Sequence, residues 1–278
     1  MKIKQFFSYI KGKKNKGIND KYVLRLSEKY FKNNYFKELF KKDDKAILKN
    51  KKFNETVKRI RKELYKVYGV FQIKKQWKKD ELIKGLEKVT NFNQIKNISL
   101  EILKLHTSSR ERINDYNIIY SRIFKITKKP NIILDLACGL NPCSIVFIKP
   151  NINYFAYDIS IGDVNFLNKY FEIIRRLGLN GRAFVSDITK NHKFKNANVC
   201  FLFKFLDLTK NRINFFKNLI ENLNCDYLVV SFSKKTISLK NMKIVKRTWF
   251  VDLLRRLNLQ FHELDFENEV FYVIRLNY

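Results

Sequence analysis

The chain has 278 residues, of which 57 are Lys or Arg and 26 are Asp or Glu, so its net charge is +31. Its length suggests about two domains, and its 45% of hydrophobic residues, with 25 Phe and 14 Tyr, exclude a disordered or collagen-like chain. So large a positive excess repels itself within one fold, and a polyanionic partner such as nucleic acid explains it economically. A biased genomic base composition is the alternative explanation.

The composition also excludes several kinds of protein. No stretch approaches the roughly 18 apolar residues of a membrane span, and the basic residues 1–17 lack the apolar run of a signal peptide. We therefore predict a cytoplasmic protein that binds no metal and no membrane, and we expect a monomer although the sequence leaves the oligomeric state open. The cysteines lack paired C-x-x-C spacing and are predicted to be buried as small apolar side chains; they are Cys138, Cys143, Cys200 and Cys225.

The first part of the chain is helical and carries most of the charge. Residues 1–130 contain 36 basic and 13 acidic residues, a net of +23, whereas the remaining residues have a net of +8. We predict a basic, all-helical RNA-docking domain over residues 1–105. Apolar residues at helical spacing cover residues 20–49, 53–67, 79–90 and 97–127.

The second part alternates short apolar runs with amphipathic stretches, which is typical of an α/β sheet with crossover helices. We predict a mostly parallel, Rossmann-like sheet within a domain over residues 106–278. Its last two strands form a hairpin around Glu267-Asn268. The predicted strands cover residues 131–137, 152–157, 199–206, 226–232, 259–266 and 269–276.

A nucleotide-binding signature begins in the first of these strands. Residues 132–142 read I-I-L-D-L-A-C-G-L-N-P, with Asp135 near the strand end and Gly139 in the turn. Nineteen residues after Gly139, Asp158 ends a second strand, where an acid accepts the hydroxyls of a ribose. Asp187, in A-F-V-S-D-I, stands where an adenine amino group is commonly held. A loop with one glycine suits S-adenosylmethionine, which has no phosphate, although an ordinary βαβ unit with acidic turns is the alternative.

The motifs for two common methyl acceptors are missing. The fourth strand region reads C-F-L-F-K-F-L-D-L, without the Asn/Asp-Pro-Pro-aromatic motif of amino-group methylation. Cys143 follows the first strand rather than this one, so we interpret it as a packing residue and not as a nucleophile. A ring nitrogen with a free lone pair, such as guanine N7, remains. It attacks the methyl group directly and needs positioning rather than a general base.

Residues 106–113 read H-T-S-S-R-E-R-I before an amphipathic helix. Ser108 and Glu111 have the spacing of a capping box, which satisfies two helix donors. Arg112 would then lie in the first helical turn, where a cation opposes the helix dipole. We therefore expect Arg112 to have an anionic partner, and the carboxylate of the cofactor's methionine is one candidate.

With these residues in view, the chain resembles the aminoglycoside-resistance 16S ribosomal RNA methyltransferases that modify guanine N7. The family's H-x-S-T-[KR]-E-R segment is matched by residues 106–112, and its D-[IL]-A-C-G-L-N-P segment by residues 135–142. Three later family segments are similar to F-L-F-K-F-L, V-S-F-S-K-K-T-I and N-E-V-F-Y-V-I, at residues 201–206, 230–237 and 268–274. The resemblance runs from about residue 20 to the C-terminus.

The resemblance implies a cofactor site for S-adenosylmethionine. It assigns Arg112 to the methionine carboxylate and Gly139, within the motif that includes Asp135 and Ala137, to the methionine part. Asp158 would hold the ribose hydroxyls. The adenine would be framed by Asp187 and Ile188.

The resemblance also implies a target-base entrance beside Lys204. A lysine in so apolar a run needs water, a backbone carbonyl or RNA, or else reaches the sheet edge. The basic segment 233–250 lacks the family's glycines, and Val245 and Lys246 replace its Asn and Tyr. We still expect RNA contacts there, from Lys234, Lys235, Lys240, Met242, Lys243, Lys246 and Arg247.

The resemblance thus implies an S-adenosylmethionine-dependent ribosomal RNA methyltransferase that acts on a guanine N7 of small-subunit RNA by direct in-line attack. One alternative keeps the chemistry but takes another ring nitrogen of ribosomal RNA, or tRNA. Another is a catalytically silent RNA-binding or ribosome-assembly factor that retains the fold.

Overall fold

A computed structural model describes residues 2–69, 71, 77–148, 151–190, 193–235 and 247–276. The chain forms two compact units. The first comprises Met1–Phe71 and Ile159–Gly162, and the second comprises Gln72–Asp158 and Asp163–Tyr278.

The first unit consists of short helices, most of which are capped by a side chain at the start. Asn33 accepts a hydrogen bond from Phe36 N, and Asn50 accepts one from Phe53 N, at 3.2 and 2.9 Å. Such caps satisfy backbone donors that have no partner within a helix. The helices are α1 (Phe7–Lys11), α2 (Asp20–Phe31), α3 (Asn34–Leu39), α4 (Asp44–Lys49) and α5 (Lys51–Leu64), with 3-10 turns at Lys2–Phe6 and Lys13–Asn15 and a π-helical turn at Tyr65–Gly69.

Phenylalanines form the core of the first unit and lysines cover its surface. The ring of Phe31 lies 4.8 Å from Phe36 and 5.4 Å from both Phe40 and Phe53, between centroids. All four side chains are buried, and such aromatic contacts supply much of a small core. Residues 1–71 contain 22 basic and 7 acidic residues, a net of +15.

A four-residue segment from later in the chain belongs to this first unit. Asn19 N donates to Ile159 O at 3.1 Å, and Ile161 N donates to Gly17 O at 2.9 Å. Ile18 and Ser160 form an antiparallel bridge between these bonds. The chain therefore enters the first unit directly after Asp158 and leaves it before Asp163.

The second unit contains a seven-stranded sheet with helices before and between its strands. The helices are α6 (Lys78–Lys88), α7 (Phe92–Leu103), α8 (Thr107–Arg110), α9 (Tyr116–Thr127), α10 (Ile161–Ile174, whose first two residues belong to the first unit), α11 (Arg212–Asn222) and α12 (Thr248–Arg256). The strands are β1 (Ile132–Leu136), β2 (Asn153–Asp158), β3 (Asn180–Val185), β4 (Ala197–Phe203), β5 (Cys225–Ser233), β6 (Phe261–Asp265) and β7 (Glu269–Arg275).

The strand order is β3-β2-β1-β4-β5-β7-β6. The first five strands in this order are parallel, whereas β7 is antiparallel to both β5 and β6. This arrangement confirms the predicted Rossmann-like sheet with a C-terminal hairpin. Two crossovers differ from the expected helices: β1 and β2 are joined through a 3-10 helix at Asn141–Phe147, and the described residues between β3 and β4 form no helix.

Helices α6 and α7 pack in the second unit, although the sequence places them in the N-terminal domain. Ile83, Leu86 and Ile102 share a buried cluster with Tyr116 and Ile133. Lys79 also forms a buried ion pair with Asp163 of α10. Because these contacts tie both helices to the sheet, the compact units divide after Phe71 rather than at the predicted position 105/106. Among the described residues, no helix is both long and apolar enough to cross a membrane.

Candidate active site

The carboxyl ends of the parallel strands bring the predicted site residues to one edge of the sheet, where open α/β sheets bind ligands. Asp135 lies near the end of β1 and Asp158 at the end of β2. Lys204 directly follows β4 in a left-handed conformation, with φ of 55°. In the pairing register, Asp135 lies opposite Phe201 of β4 and Ala156 of β2.

The loop after β1 needs glycine at position 139. Gly139 has φ of 53°, and a β-carbon there would lie 2.7 Å from His106 Nε2. Its backbone N–H donates to Asp158 Oδ2 at 2.8 Å, so the acid at the end of β2 also holds the loop after β1. Ala137 also has φ of 53°. This left-handed conformation carries a free-energy cost for any residue that has a side chain.

His106 covers this loop from the other side. It is buried, and its Nδ1 lies 3.0 Å from Ser108 Oγ. Burial lowers its pKa to about 4, because an imidazolium loses its hydration there, although Asp163 opposes the shift. At neutral pH, His106 therefore presents an uncharged ring to Gly139.

Asp135 is buried and bound by protein side chains. Its Oδ2 accepts hydrogen bonds from Asn141 Nδ2 at 2.8 Å and Tyr154 OH at 2.6 Å. Burial raises its pKa to about 6 in spite of these bonds. Asp135 thus anchors the start of the 3-10 helix that contains Asn141, which supports the loop that the sequence assigns to the cofactor.

Arg112 has an anionic partner within the protein. Its Nε donates to Glu269 Oε2 at 2.8 Å and its Nη2 donates to Glu269 Oε1 at 3.0 Å, while Nη1 reaches Asn141 Oδ1 at 3.2 Å. Burial alone would lower the pKa of Arg112, but the carboxylate of Glu269 raises it overall. The guanidinium also lies 4.8 Å from the centroid of the Phe203 ring. The partner that the sequence leaves open is thus Glu269.

Lys204 belongs to the same buried cluster of charges. Its ammonium forms ion pairs with Glu111 and, at 3.1 Å, with Glu269 Oε2. Burial would raise the pKa of Glu269, but Arg112 and Lys204 together lower it. Two cations and two carboxylates therefore balance each other beside the end of β4. The pairing of Lys204 with Glu111 and Glu269 explains how the apolar fourth-strand segment accommodates a lysine.

The expected capping box does not form. His106 is the N-cap of α8, and no side chain caps this helix. Ser108 bonds to His106 and Glu111 pairs with Lys204, so both residues of the expected box have other partners. Arg112 lies between α8 and α9 rather than in a first helical turn. The capping-box interpretation was therefore wrong, because His106 and the distant Lys204 take its side chains.

The predicted adenine frame follows β3. Asp187 Oδ1 accepts hydrogen bonds from Thr189 N at 3.1 Å and from Thr189 Oγ1 at 2.6 Å. Ile188 is buried in the apolar cluster that includes Leu134 and Leu206. Ser186 N donates to Asp158 O at 2.7 Å, which links this turn to the end of β2.

The predicted RNA contacts fall into three groups. Lys234 and Lys235 form ion pairs with the hairpin residues Asp265 and Glu267. Arg247 is buried, and its Nη2 donates to Asp207 Oδ2 at 2.9 Å, so it joins two segments and presents no exposed charge. The others, Lys240, Met242, Lys243 and Lys246, lie outside the described residues.

Sequence reasoning missed the buried polar residues that support this site. Glu269, Asn141 and Tyr154 each bond to a predicted site residue. Asn141 and Glu269 lie inside segments noticed for their resemblance, and a polar residue within an apolar segment was the available signal. The described residues hold no group of three or more His, Cys, Asp or Glu that could bind a metal. Cys143 is buried, as predicted, and burial raises its thiol pKa.

The strand order, the closing antiparallel hairpin and the acids at the carboxyl ends of the first two strands define a Rossmann-like protein of the class I methyltransferase type. Residues 43–258 match the model of the FmrO family, described as ribosomal RNA methyltransferase. The chain belongs to this family, as its sequence predicts.

Similar proteins carry related names. The chain is 25% identical over 229 residues to a 16S rRNA (guanine(1405)-N(7))-methyltransferase of Micromonospora echinospora, covering 80% of this chain and 82% of that protein. It is 37% identical over 100 residues to one of Proteus mirabilis, covering 32% of this chain and 36% of that protein. The fold is similar to the 16S rRNA methyltransferase RmtF in complex with S-adenosyl-L-homocysteine, with a TM-score of 0.72 and 21% identity over 96% of this chain and 95% of that one.

Proposed function

We propose that the protein transfers a methyl group from S-adenosylmethionine to the N7 of a guanine in small-subunit (16S) ribosomal RNA. The pairing of Gly139 with Asp158 carries the proposal, in a chain of which residues 43–258 match a ribosomal RNA methyltransferase family. The basic surface of residues 1–71 supports an RNA substrate. Such a substrate would place the protein in the cytoplasm, where ribosomes act.

The residues present fit S-adenosylmethionine. Gly139 carries no side chain, so the loop can offer its backbone to an aliphatic chain, while the space that a β-carbon would need is taken by His106. Asp158, with its carboxylate at the carboxyl edge, has the chemistry to accept ribose hydroxyls, and Ile188 offers an apolar contact for adenine. When bound, S-adenosylmethionine supplies an electrophilic methyl group on a sulfonium.

The protein's own residues would act by positioning. Guanine N7 holds its lone pair at neutral pH, so no side chain needs to remove a proton. In this proposal, Arg112 remains paired with Glu269 and orients the cofactor end of the site through Asn141. Lys204 is a positioning residue at the mouth, held by Glu111 and Glu269 rather than acting as a base. The uncharged ring of His106 keeps the Gly139 loop in place without adding charge.

The proposal is tested by incubating the protein with methyl-labelled S-adenosylmethionine and, separately, small subunits, large subunits and tRNA. We expect label in small-subunit RNA and chain scission at one guanine after borohydride and aniline treatment. Label confined to tRNA, or small-subunit label without scission, would favour another ring nitrogen or another RNA. Cofactor binding without label on any RNA would favour the silent RNA-binding factor.

A matched pair of variants tests the cofactor site. Asp158→Asn keeps an oxygen that can accept from Gly139 N but removes the charge offered to the ribose, so we expect S-adenosylhomocysteine to bind about tenfold or more weakly. Asp252→Asn, at an exposed position of α12, is the control and should leave binding unchanged. Calorimetric titration measures both, and equal affinities for the two variants would refute the ribose role of Asp158.

A further inference from the structure

A cleft lined by asparagines lies on the second unit, between the β3–β4 connection and α11. Its volume is about 250 Å³. Ile188 is the one residue of its wall that the predicted cofactor site shares. We call it the asparagine cleft, defined by Asn211, Asn214, Asn218 and Asn222 with Lys190 and Phe215.

The asparagines form one row along the helix. Their spacing of three, four and four residues places them on the same face of α11, and all of them are exposed. Within the described part of the chain, no hydrogen bond engages the side-chain amides of Asn214 and Asn218, and Asn211 does not cap the helix with its side chain. In the same row, Asn222 Nδ2 donates to Asn218 O at 2.7 Å. Asparagine is a poorer helix former than alanine, so Asn214 and Asn218 lower helix stability without such a bond from their own side chains.

The wall of the cleft is partly aromatic and carries one cation, Lys190. The segments that supply the wall, residues 188–196 and 209–222, contain six basic residues and one acid, Glu221. The ring of Phe215 packs against Phe205, with centroids 5.3 Å apart, while Phe215 also lines the cleft. Exposed Lys190 lies on the opposite wall. A ligand that suits these walls has a flat ring, a hydrogen-bonding edge and a negative charge.

We infer that the asparagine cleft binds one unpaired nucleotide of an RNA. The amides of Asn214 and Asn218 each offer a donor and an acceptor to the edge of a base, Phe215 contacts its face, and Lys190 pairs with a phosphate. The volume lies below the roughly 300–1,000 Å³ of pockets for drug-sized ligands, which fits a single base. This inference goes beyond the proposed methyl transfer, because it concerns a second RNA contact and not the methylated base.

The test is the affinity of the full chain for a single-stranded RNA of mixed sequence and for a fully paired RNA duplex of equal length. The double variant Asn214→Ala/Asn218→Ala should bind the single strand about tenfold more weakly and the duplex unchanged. Alanine is a better helix former, so the variant should fold at least as well as the wild type. Asn117→Ala, at an exposed position of α9, is the matched control and should bind both RNAs as the wild type does.

Three outcomes would overturn the inference. The first is unchanged single-strand affinity of the double variant. The second is an equal loss for single strand and duplex, which would indicate a general effect on charge. The third is weaker binding of S-adenosylhomocysteine with unchanged RNA binding, which would assign the cleft to the cofactor. A failure of the proposed function is distinguishable, since absent methyl transfer leaves the single-strand result intact.

Discussion

Burial shifts the pKa values of two site residues in opposite directions, because it disfavours the charged form of each group. The pKa of His106 falls to about 4 and that of Asp135 rises to about 6. Both groups therefore bind protons differently in the folded and the unfolded chain. Folding stability depends on pH through each of them, with opposite signs.

We expect His106 to destabilise the fold as pH falls from 6.5 to about 4, because the unfolded chain binds a proton there that folded His106 refuses. His106→Gln should remove up to about 3 kcal/mol of this pH-dependent loss. Urea denaturation at several pH values measures it for both proteins. Asp135 contributes the opposite slope, with stability falling as pH rises from 3.8 to about 6, and it cancels in the comparison. Identical pH profiles for the two proteins would contradict the prediction.

Glu269 balances two buried cations, Arg112 and Lys204, so its charge should matter for stability. Glu269→Gln leaves the guanidinium without its bidentate partner and should lower the free energy of unfolding by about 3–5 kcal/mol. Glu267→Gln is the matched control, since that side chain is 83% exposed and should change stability by less than about 0.5 kcal/mol. Thermal denaturation compares them, and equal midpoints would show that the buried pair contributes nothing.

At the scale of elements, polar caps mark where most of the short helices of the first unit begin, whereas α1 begins without one. Asn50 shows this most clearly, since it caps the 14-residue α5 and also bonds to Tyr35 OH. Without Asn50, backbone N–H groups at the start of α5 would lack a hydrogen-bond acceptor within the helix.

Asn50→Ala should destabilise the first unit by about 1 kcal/mol, because the Phe53 N–H loses its acceptor. Asn50→Asp retains an acceptor of the same length and should recover most of that loss. Denaturant unfolding followed by circular dichroism measures both variants. An alanine variant as stable as the aspartate variant would mean that water replaces the cap.

The periodicity of apolar residues predicted the strands and the C-terminal hairpin, since both are local patterns of a few residues. It did not predict the crossovers at Asn141–Phe147 and between β3 and β4, which are too short or too irregular to show a helical period. Nor could it pair Arg112 with Glu269, because 157 positions separate them and only the folded sheet brings them together. A capping box was inferred from neighbours in the chain, but Ser108 bonds to His106 and Glu111 pairs with Lys204, 93 positions away.

For the whole molecule, the uneven distribution of charge has a thermodynamic consequence. The first unit presents exposed cations on α5, including Lys58, Arg59 and Lys62, while its acids are few. RNA binding through such a surface releases counterions, so affinity should fall steeply as salt rises.

The triple variant Lys58→Gln/Arg59→Gln/Lys62→Gln should reduce the slope of log affinity against log salt by about two to three. The control carries the same loss of charge at exposed positions of the second unit, Lys84→Gln/Lys88→Gln/Lys125→Gln, and should change the slope less. Filter binding of small-subunit RNA over a range of salt concentrations measures both. A larger change in the control would indicate that the RNA-docking surface lies on the second unit.

Because the segment Ile159–Gly162 belongs to the first unit, dividing the gene after the codon for Phe71 would not separate the two units. A chain shortened to begin at residue 72 would leave Ile159 O and Ile161 N without the partners that Asn19 and Gly17 provide. These unpaired backbone groups would come directly after Asp158, which is the acid proposed to hold the ribose. Recombination could therefore not exchange the first unit of this protein for another without also changing the turn after its second strand.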